Sequence, residues 1–232
     1  MVSRRLNAPK RLENNLLEVS ATKGLVELVN GLLDKEGHAY KRPGLFRNRL
    51  VGTNGVKIDG LYWWNAKSKL LTVSNGKIFA TATPKVEDEN ISGTNFLNQG
   101  MVQFADTGYW LYMAAGNGKM LKWDGLTATV EKETDPVAPE HVSTVEAINT
   151  RIVCNQAGTN RMWYTKPASL TNPQSALEWE GYIEIDRTGE QIVGIKKIGS
   201  ELYIFKERSV SAWYDDGVTP FHPIVGSERN IG

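Results

Sequence analysis

Cysteine and histidine are nearly absent: the chain has one cysteine, Cys154, and three histidines, His38, His141 and His222, in 232 residues. A lone cysteine cannot form an internal disulfide, so packing must supply the stability, and such a chain fits a reducing cytoplasm. Set in a strand-like run, Cys154 reads as a small hydrophobe rather than a catalytic thiol. The histidines are far apart, with no H-x-x-x-H, C-x-x-C or E-x-x-H spacing to hold a metal. Also missing are G-x-S-x-G, the phosphate-binding G-x-x-x-x-G-K-[ST], and any G-x-G-x-x-G after a strand. No cofactor is therefore expected. The longest apolar run, Tyr109 to Ala115, is far short of a membrane span, and no apolar stretch follows Arg4 and Arg5 to make a secretory or twin-arginine signal.

What is present is a repeated hairpin. Ile192 to Gly217 reads as three short strands closed by turns: an apolar run, Leu202 to Phe205, then Lys206 to Arg208, then Ser209 to Tyr214 and a stop at Asp215-Asp216-Gly217. The same unit occurs upstream at Leu70–Ser74 with Lys77–Thr81, at Tyr109–Ala115 with Lys119–Trp123, and at Arg151–Asn155 with Arg161–Thr165. Strand midpoints at Leu71, Tyr112, Val153 and Ile204 give steps of 41, 41 and 51 residues. That is the period of a propeller blade, and the Pro-bearing loop from Ala168 to Ser175 lengthens the last step. From Ile58 onward the alternation is β throughout. In one strand Ile183 and Ile185 face one way while Tyr182, Glu184 and Asp186 face the other. The fold expected is all-β, with about four propeller-like blades over 58–232, either a propeller in themselves or part of a larger one.

Residues 1–57 form a different region, a basic N-terminal arm and hairpin. They hold eleven basic and five acidic residues, a balance of +6, against sixteen and twenty-one, a balance of −5, in the rest. Leu25, Leu28, Val29, Leu32 and Leu33 have helical spacing, but Gly24, Gly31 and the turn-like Asp34-Lys35-Glu36-Gly37 favour strand–turn–strand. Arg42-Pro43-Gly44 then makes a sharp corner. Such an arm is either a solvated terminus or a tether to an acidic partner, and the acid-free cluster Lys41, Arg42, Arg47 and Arg49 favours the tether.

Candidate chemistry is sparse. Asp106-x-Gly108-x-Trp110 echoes the Asp box of sialidase blades, but the completing Ser and Thr are missing and the motif does not recur. Asp124, Asp215-Asp216 and Glu87-Asp88-Glu89 fall at turns, where acids usually serve the backbone or solvent. Of the seven tryptophans, Trp63, Trp110, Trp123, Trp163 and Trp213 lie in expected strands, where aromatics fill the space between sheets. Trp179, in the polar run Leu177-Glu178-Trp179-Glu180, reads as the candidate for an exposed contact.

The arm, the corner Lys41-Arg42-Pro43-Gly44-Leu45, the hairpin Ser74-Asn75-Gly76-Lys77-Ile78-Phe79 and the unit Ile192 to Gly217 followed by Phe221 carry a resemblance. In order and pattern across about residues 25 to 232, the chain resembles the packaged-DNA stabilisation proteins. These are the tail accessory, or tail-hub (nozzle), proteins of short-tailed bacteriophages. The resemblance implies a non-catalytic propeller subunit in a homohexameric ring of the virion tail, made in the host cytoplasm. That ring would dock below the portal and its adaptor, next to tail fibre, spike or tip proteins, around the channel through which double-stranded DNA leaves. Because members of that family run on beyond the point matching Gly232, the expectation is a partial propeller completed by residues or chains outside this sequence.

Within that picture Arg4, Arg5, Lys10 and Arg11, with Lys41, Arg42, Arg47 and Arg49, are the candidates to bind a neighbouring protein. A channel for moving duplex must not grip phosphates, so its wall should be neutral or acidic. Glu87, Asp88 and Glu89, with the stretch Glu131 to Glu140, are the candidates to line it or its rim, unless they are ordinary solvated loops. Two other readings remain open: a carbohydrate-binding or glycoside-hydrolase propeller, which needs convergent acids or exposed tryptophans, and a non-catalytic interaction scaffold.

Overall fold

The computed structural model describes residues 57–81, 89–93, 100–116, 118–185, 189–217 and 221–231, together with the backbone of four short strands nearer the N-terminus. The chain divides into two compact units, Met1–Arg47 and Asn48–Gly232. In the first unit β1 (Val19–Ser20) pairs with β2 (Gly24–Leu25), and β3 (Gly31–Leu33) pairs with β4 (Ala39–Lys41), both antiparallel. Gly31 stands opposite Lys41 and Leu33 opposite Ala39, so Gly31–Leu33 and Ala39–Lys41 are paired strands, and the residues between them lie outside the described ones.

The second unit is built from four antiparallel sheets, each with its strands in chain order. Blade I is β5 (Ile58–Trp64), β6 (Lys69–Ser74), β7 (Lys77–Thr81) and β8 (Glu89–Asn90), with a 3-10 turn at Asn65–Lys67. Blade II is β9 (Gln103–Asp106), β10 (Leu111–Ala114), β11 (Leu121–Trp123) and β12 (Glu131–Lys132). Blade III is β13 (Val145–Ile148), β14 (Arg151–Asn155), β15 (Arg161–Thr165) and β16 (Trp179–Glu184). Blade IV is β17 (Ile192–Ile198), β18 (Glu201–Lys206), β19 (Ser209–Tyr214) and β20 (His222–Pro223), and β21 (Arg229–Asn230) also pairs with β19. No α-helix occurs among the described residues. The fold is an all-β, propeller-like run of four blades.

The hairpins expected from the sequence are the second and third strands of each blade. They are legible because β-branched and aromatic runs meet at short turns. Asn75 and Gly76 both take positive φ, +52° and +74°, which is the backbone a two-residue I′ hairpin turn requires and which Asn and Gly tolerate best.

Each blade has a forward face toward the next blade and a backward face toward the previous one. Three apolar cores fill the three junctions. Leu71, Val73 and Ile78 of blade I meet Leu111, Met113 and Trp123 of blade II. Tyr112, Ala114 and Met120 of blade II meet Val145, Ile152 and Cys154 of blade III. Ile148, Val153 and Met162 of blade III meet Ile195, Leu202, Ile204 and Trp213 of blade IV. Each fully buried aliphatic side chain contributes roughly 1.5–3 kcal/mol, so these junctions dominate the stability. Among the described residues there is no fourth core between blades IV and I.

Two tryptophans differ from expectation. Trp179 is only 4% exposed, packed in the second core, because its strand closes the edge of blade III over Leu177. Trp63 is 50% exposed, because it lies on the backward face of blade I, where no blade covers it.

Candidate functional site

The first strands β5, β9, β13 and β17 each adjoin the next, so they form the hub from which the blades radiate. Polar side chains cross the hub from blade to blade. The Val102 N–H donates to the Asp59 carbonyl at 2.9 Å. The Tyr62 hydroxyl donates to the Asp106 carboxylate, and the Tyr62 ring stacks on Phe104 at 5.3 Å. Thr144 Oγ1 donates to Gln103 Oε1 of blade II at 3.0 Å and accepts the Ile195 N–H of blade IV at 3.1 Å. Glu146 Oε2 holds Lys196 Nζ at 2.7 Å. The wholly buried Asn155 accepts the N–H groups of Ser143 (3.1 Å) and Thr144 (3.0 Å) and donates to the Ile192 carbonyl at 3.0 Å.

The electrostatics follow from these pairings. Burial, then the hydrogen bond to Asp106 and the charges of Asp106 and Glu146, push the Tyr62 phenol well above its usual range. It stays protonated at physiological pH and acts as a donor, not a nucleophile. Asp106 is occupied further by the Gly108 N–H at 2.8 Å. Three carboxylates lie on the hub strands: Asp106 accepts the Tyr62 hydroxyl and Glu146 pairs with Lys196, each tying one blade to the next, while Asp59 on β5 pairs with Lys57 at 3.0 Å.

A second polar cluster locks blade III to blade IV. Arg151, on β14, donates through Nη1 to the Thr165 carbonyl at 2.8 Å and to Glu180 Oε2 at 3.1 Å. Its Nε lies 3.5 Å from Asp215 Oδ2, with the two side chains 4% and 0% exposed. Asp215 in turn accepts the Gly217 N–H at 2.9 Å and receives Asn149 Nδ2 on its backbone carbonyl at 3.1 Å. Within blade II the buried Glu133 accepts Lys122 Nζ at 3.2 Å and the N–H groups of Thr134 and Asp135. Burial and the charge of Glu133 push the nearby Tyr112 phenol upward. Among the described residues no group of three or more His, Cys, Asp or Glu is placed to hold a metal ion.

The residues proposed from sequence as partner-binding fall almost wholly elsewhere. Arg4, Arg5, Lys10, Arg11, Arg42, Arg47 and Arg49 lie outside the described residues, and Lys41 is the last residue of β4. Glu87 and Asp88 also lie outside them, while Glu89 is exposed on β8, the fourth strand of blade I, opposite Ala80. In the stretch from Glu131 to Glu140, Glu133 is buried in its ion pair and the half-buried Asp135 accepts the N–H groups of Val137 and Trp179, while Glu131 and Glu140 are exposed. The Arg151–Asp215 pair escapes a reading of the sequence. Its only local signal is an arginine inside an apolar strand.

No family model and no curated protein matches the chain. Solved structures do. A chain of a mitotic checkpoint complex superimposes with a TM-score of 0.52 at 12% identity, over 75% of this chain and 54% of that one. An extracellular domain from B. thetaiotaomicron, assigned to a one-component system, superimposes with a TM-score of 0.51 at 17% identity, over 80% and 24%. A candidate 6-phosphogluconolactonase from Bacteroides uniformis gives 0.49 at 13% identity, over 87% and 64%. The chain thus spans between about a quarter and two thirds of the length of these proteins, and what the first two share with it is the fold.

Proposed function

We propose that this chain is a structural subunit of the tail hub, or nozzle, of a short-tailed bacteriophage, where a ring of subunits encloses the DNA channel, retains the packaged genome and serves its exit. The observation that carries this reading is the coincidence of fold and resemblance. The hairpin Ser74 to Phe79 is the β6–β7 turn of blade I, and Ile192 to Gly217 is the body of blade IV, so the stretches that resemble the nozzle proteins are blade elements. The hub adds support, because Asp106, Glu146 and the Tyr62 phenol hold blades together. In this reading six copies sit below the portal-adaptor ring, and the basic arm, with Arg4, Arg5, Lys10 and Arg11, binds a neighbouring protein. Duplex DNA passes without sequence-specific contact.

Electron microscopy of particles carrying a tagged copy tests this. The expected result is six-fold density beneath the adaptor. A chain absent from purified particles, or located away from the tail axis, would refute it. Deleting residues 1–11 should lower incorporation while leaving the far-ultraviolet spectrum of the β unit unchanged, and normal incorporation would remove the arm from the scheme.

A further inference from the structure

The fourth strand of a blade pairs with the third along one edge and has its other edge at the rim. These rim strands differ in length. β12 of blade II and β20 of blade IV are two residues long, and β20 contains Pro223, whereas β16 of blade III runs for six residues, Trp179–Glu184. A sheet edge offers its unpaired backbone groups to any extended chain, and short strands, proline and charge are the usual protections. Blade III lacks the first two.

One bond sets the direction of its ladder. The Ile185 N–H donates to the Asn160 carbonyl at 3.0 Å, in register with Glu184 opposite Arg161 and Tyr182 opposite Trp163. In an antiparallel pair such bonds fall on alternate residues, so the backbone groups of Ile183 and Gly181 turn inward to β15. Those of Tyr182 and Glu184 turn outward, to the rim. Toward the start of the strand the register skips Glu180, and Asp135 of blade II accepts the Trp179 N–H at 3.0 Å, so the open stretch is 180–184.

The side chains along this edge are selective. Tyr182 and Glu184 stand two residues apart, on one face of the sheet. The Tyr182 ring is 42% exposed and lies 4.8 Å from the Trp163 ring and 4.4 Å from the Arg161 guanidinium. Glu184 meets Arg161 at 3.5 Å with both side chains well exposed, an ion pair that water and salt weaken. A strand laid along the rim would set one side chain beside the two rings and another, two residues on, beside the Glu184 carboxylate. An apolar residue suits the first place, and Lys or Arg the second. A second copy of β16 suits neither, because pairing antiparallel about Tyr182 would set Glu184 opposite Glu180, acid against acid.

We propose that the rim of blade III binds an extended segment of another protein as an antiparallel fifth strand, and that this segment carries an apolar residue and a Lys or Arg two positions apart. Backbone hydrogen bonds supply the attachment, and the two side chains select the partner. The inference rests on the fold alone, so its failure leaves the nozzle reading to its own test in particles.

The test uses the 232-residue chain and a labelled synthetic peptide, Thr-Val-Thr-Lys-Thr-Val-Thr-Lys, in fluorescence anisotropy. Saturable binding is expected, about tenfold weaker or worse when the lysines become glutamates. In strand addition the Val and Lys amides face Tyr182 and Glu184, so N-methylating those amides should abolish binding, and N-methylating the Thr amides should leave it. Glu184→Gln should remove the preference for lysine over glutamate. Tyr182→Pro removes an outward N–H and spares the β15–β16 ladder, so it should keep the wild-type circular dichroism and lose the peptide. The methylated peptides make the same test on the unaltered protein, whatever the folding of that variant. No saturable binding of the lysine peptide, equal binding of the two methylated peptides, or an undiminished lysine preference in Glu184→Gln would each overturn the proposal.

Discussion

Replacing Asp215 by Asn is the sharpest test of how blade IV is held to blade III. The substitution keeps an oxygen for the Gly217 N–H and nearly the same volume, and removes the charge facing Arg151. At 3.5 Å the contact is long for a hydrogen bond, so its value is chiefly Coulombic. With an effective dielectric constant of about 20, the gross attraction is about 5 kcal/mol, part of which offsets the desolvation of both groups. Removing one partner of such a buried pair costs about 3–5 kcal/mol. The lower end is expected here, because Arg151 keeps Glu180 and the Thr165 carbonyl. A loss of about 3 kcal/mol is a large share of the roughly 5–15 kcal/mol that holds a domain folded. Urea unfolding followed by tryptophan fluorescence measures it, and a cycle with Arg151→Met isolates the pair. In the Arg151→Met background Asp215→Asn should cost about 1 kcal/mol or less, since no buried cation is left unpaired. Glu180→Ala, which removes a carboxylate that is largely at the surface, should cost no more than about 1 kcal/mol. An equal cost for Asp215→Asn in both backgrounds would refute the assignment.

Three further outcomes are expected. Gly60→Ala places a Cβ 2.7 Å from the Phe104 ring and 3.0 Å from Val102, so the first junction must shift, with a loss of about 1–3 kcal/mol in chemical denaturation; an unchanged midpoint would mean the hub is looser than these distances imply. Burial pushes the Cys154 thiol well above its usual range, so a thiol reagent should label it only in denaturant, and rapid labelling of native protein would contradict its place in the second core. For Asp124, burial raises the carboxyl, but the Thr127 and Leu126 N–H groups and the Thr127 hydroxyl outweigh it, and the folded pKa is depressed. Its stabilisation is therefore present above the unfolded carboxylate value and lost as pH falls through the folded one. The stability difference between wild type and Asp124→Ala should shrink on acidification below about pH 4, and a gap that stays constant with pH would refute it.

Much of the β architecture is legible in the residue pattern, for a local reason. Alternation with period two, bounded by Asn-Gly and Asp-Asp-Gly turns, marks a hairpin wherever it occurs, and it places the four middle hairpins at 70–81, 109–123, 151–165 and 202–214, against 69–81, 111–123, 151–165 and 201–214 in the structure. Apart from β16, whose alternation around Ile183 is plain, the fourth strands are not legible in this way. Glu131–Lys132 and His222–Pro223 are two residues long and carry no periodicity, and they are strands only because β11 and β19 offer them an edge. Alternation also states that a strand has two faces without stating what covers either. Trp63 and Trp179 illustrate this: the one in an aromatic, strand-like run is exposed, and the one in a polar run is buried. Arg151 and Asp215 are separated by 64 residues and meet only when blade IV packs on blade III. The sequence by itself thus determined the class, the blade spacing and the middle hairpins, because those depend on neighbours along the chain. Only the tertiary structure decided which faces are closed and which charges are buried together, because those depend on which sheet stands opposite.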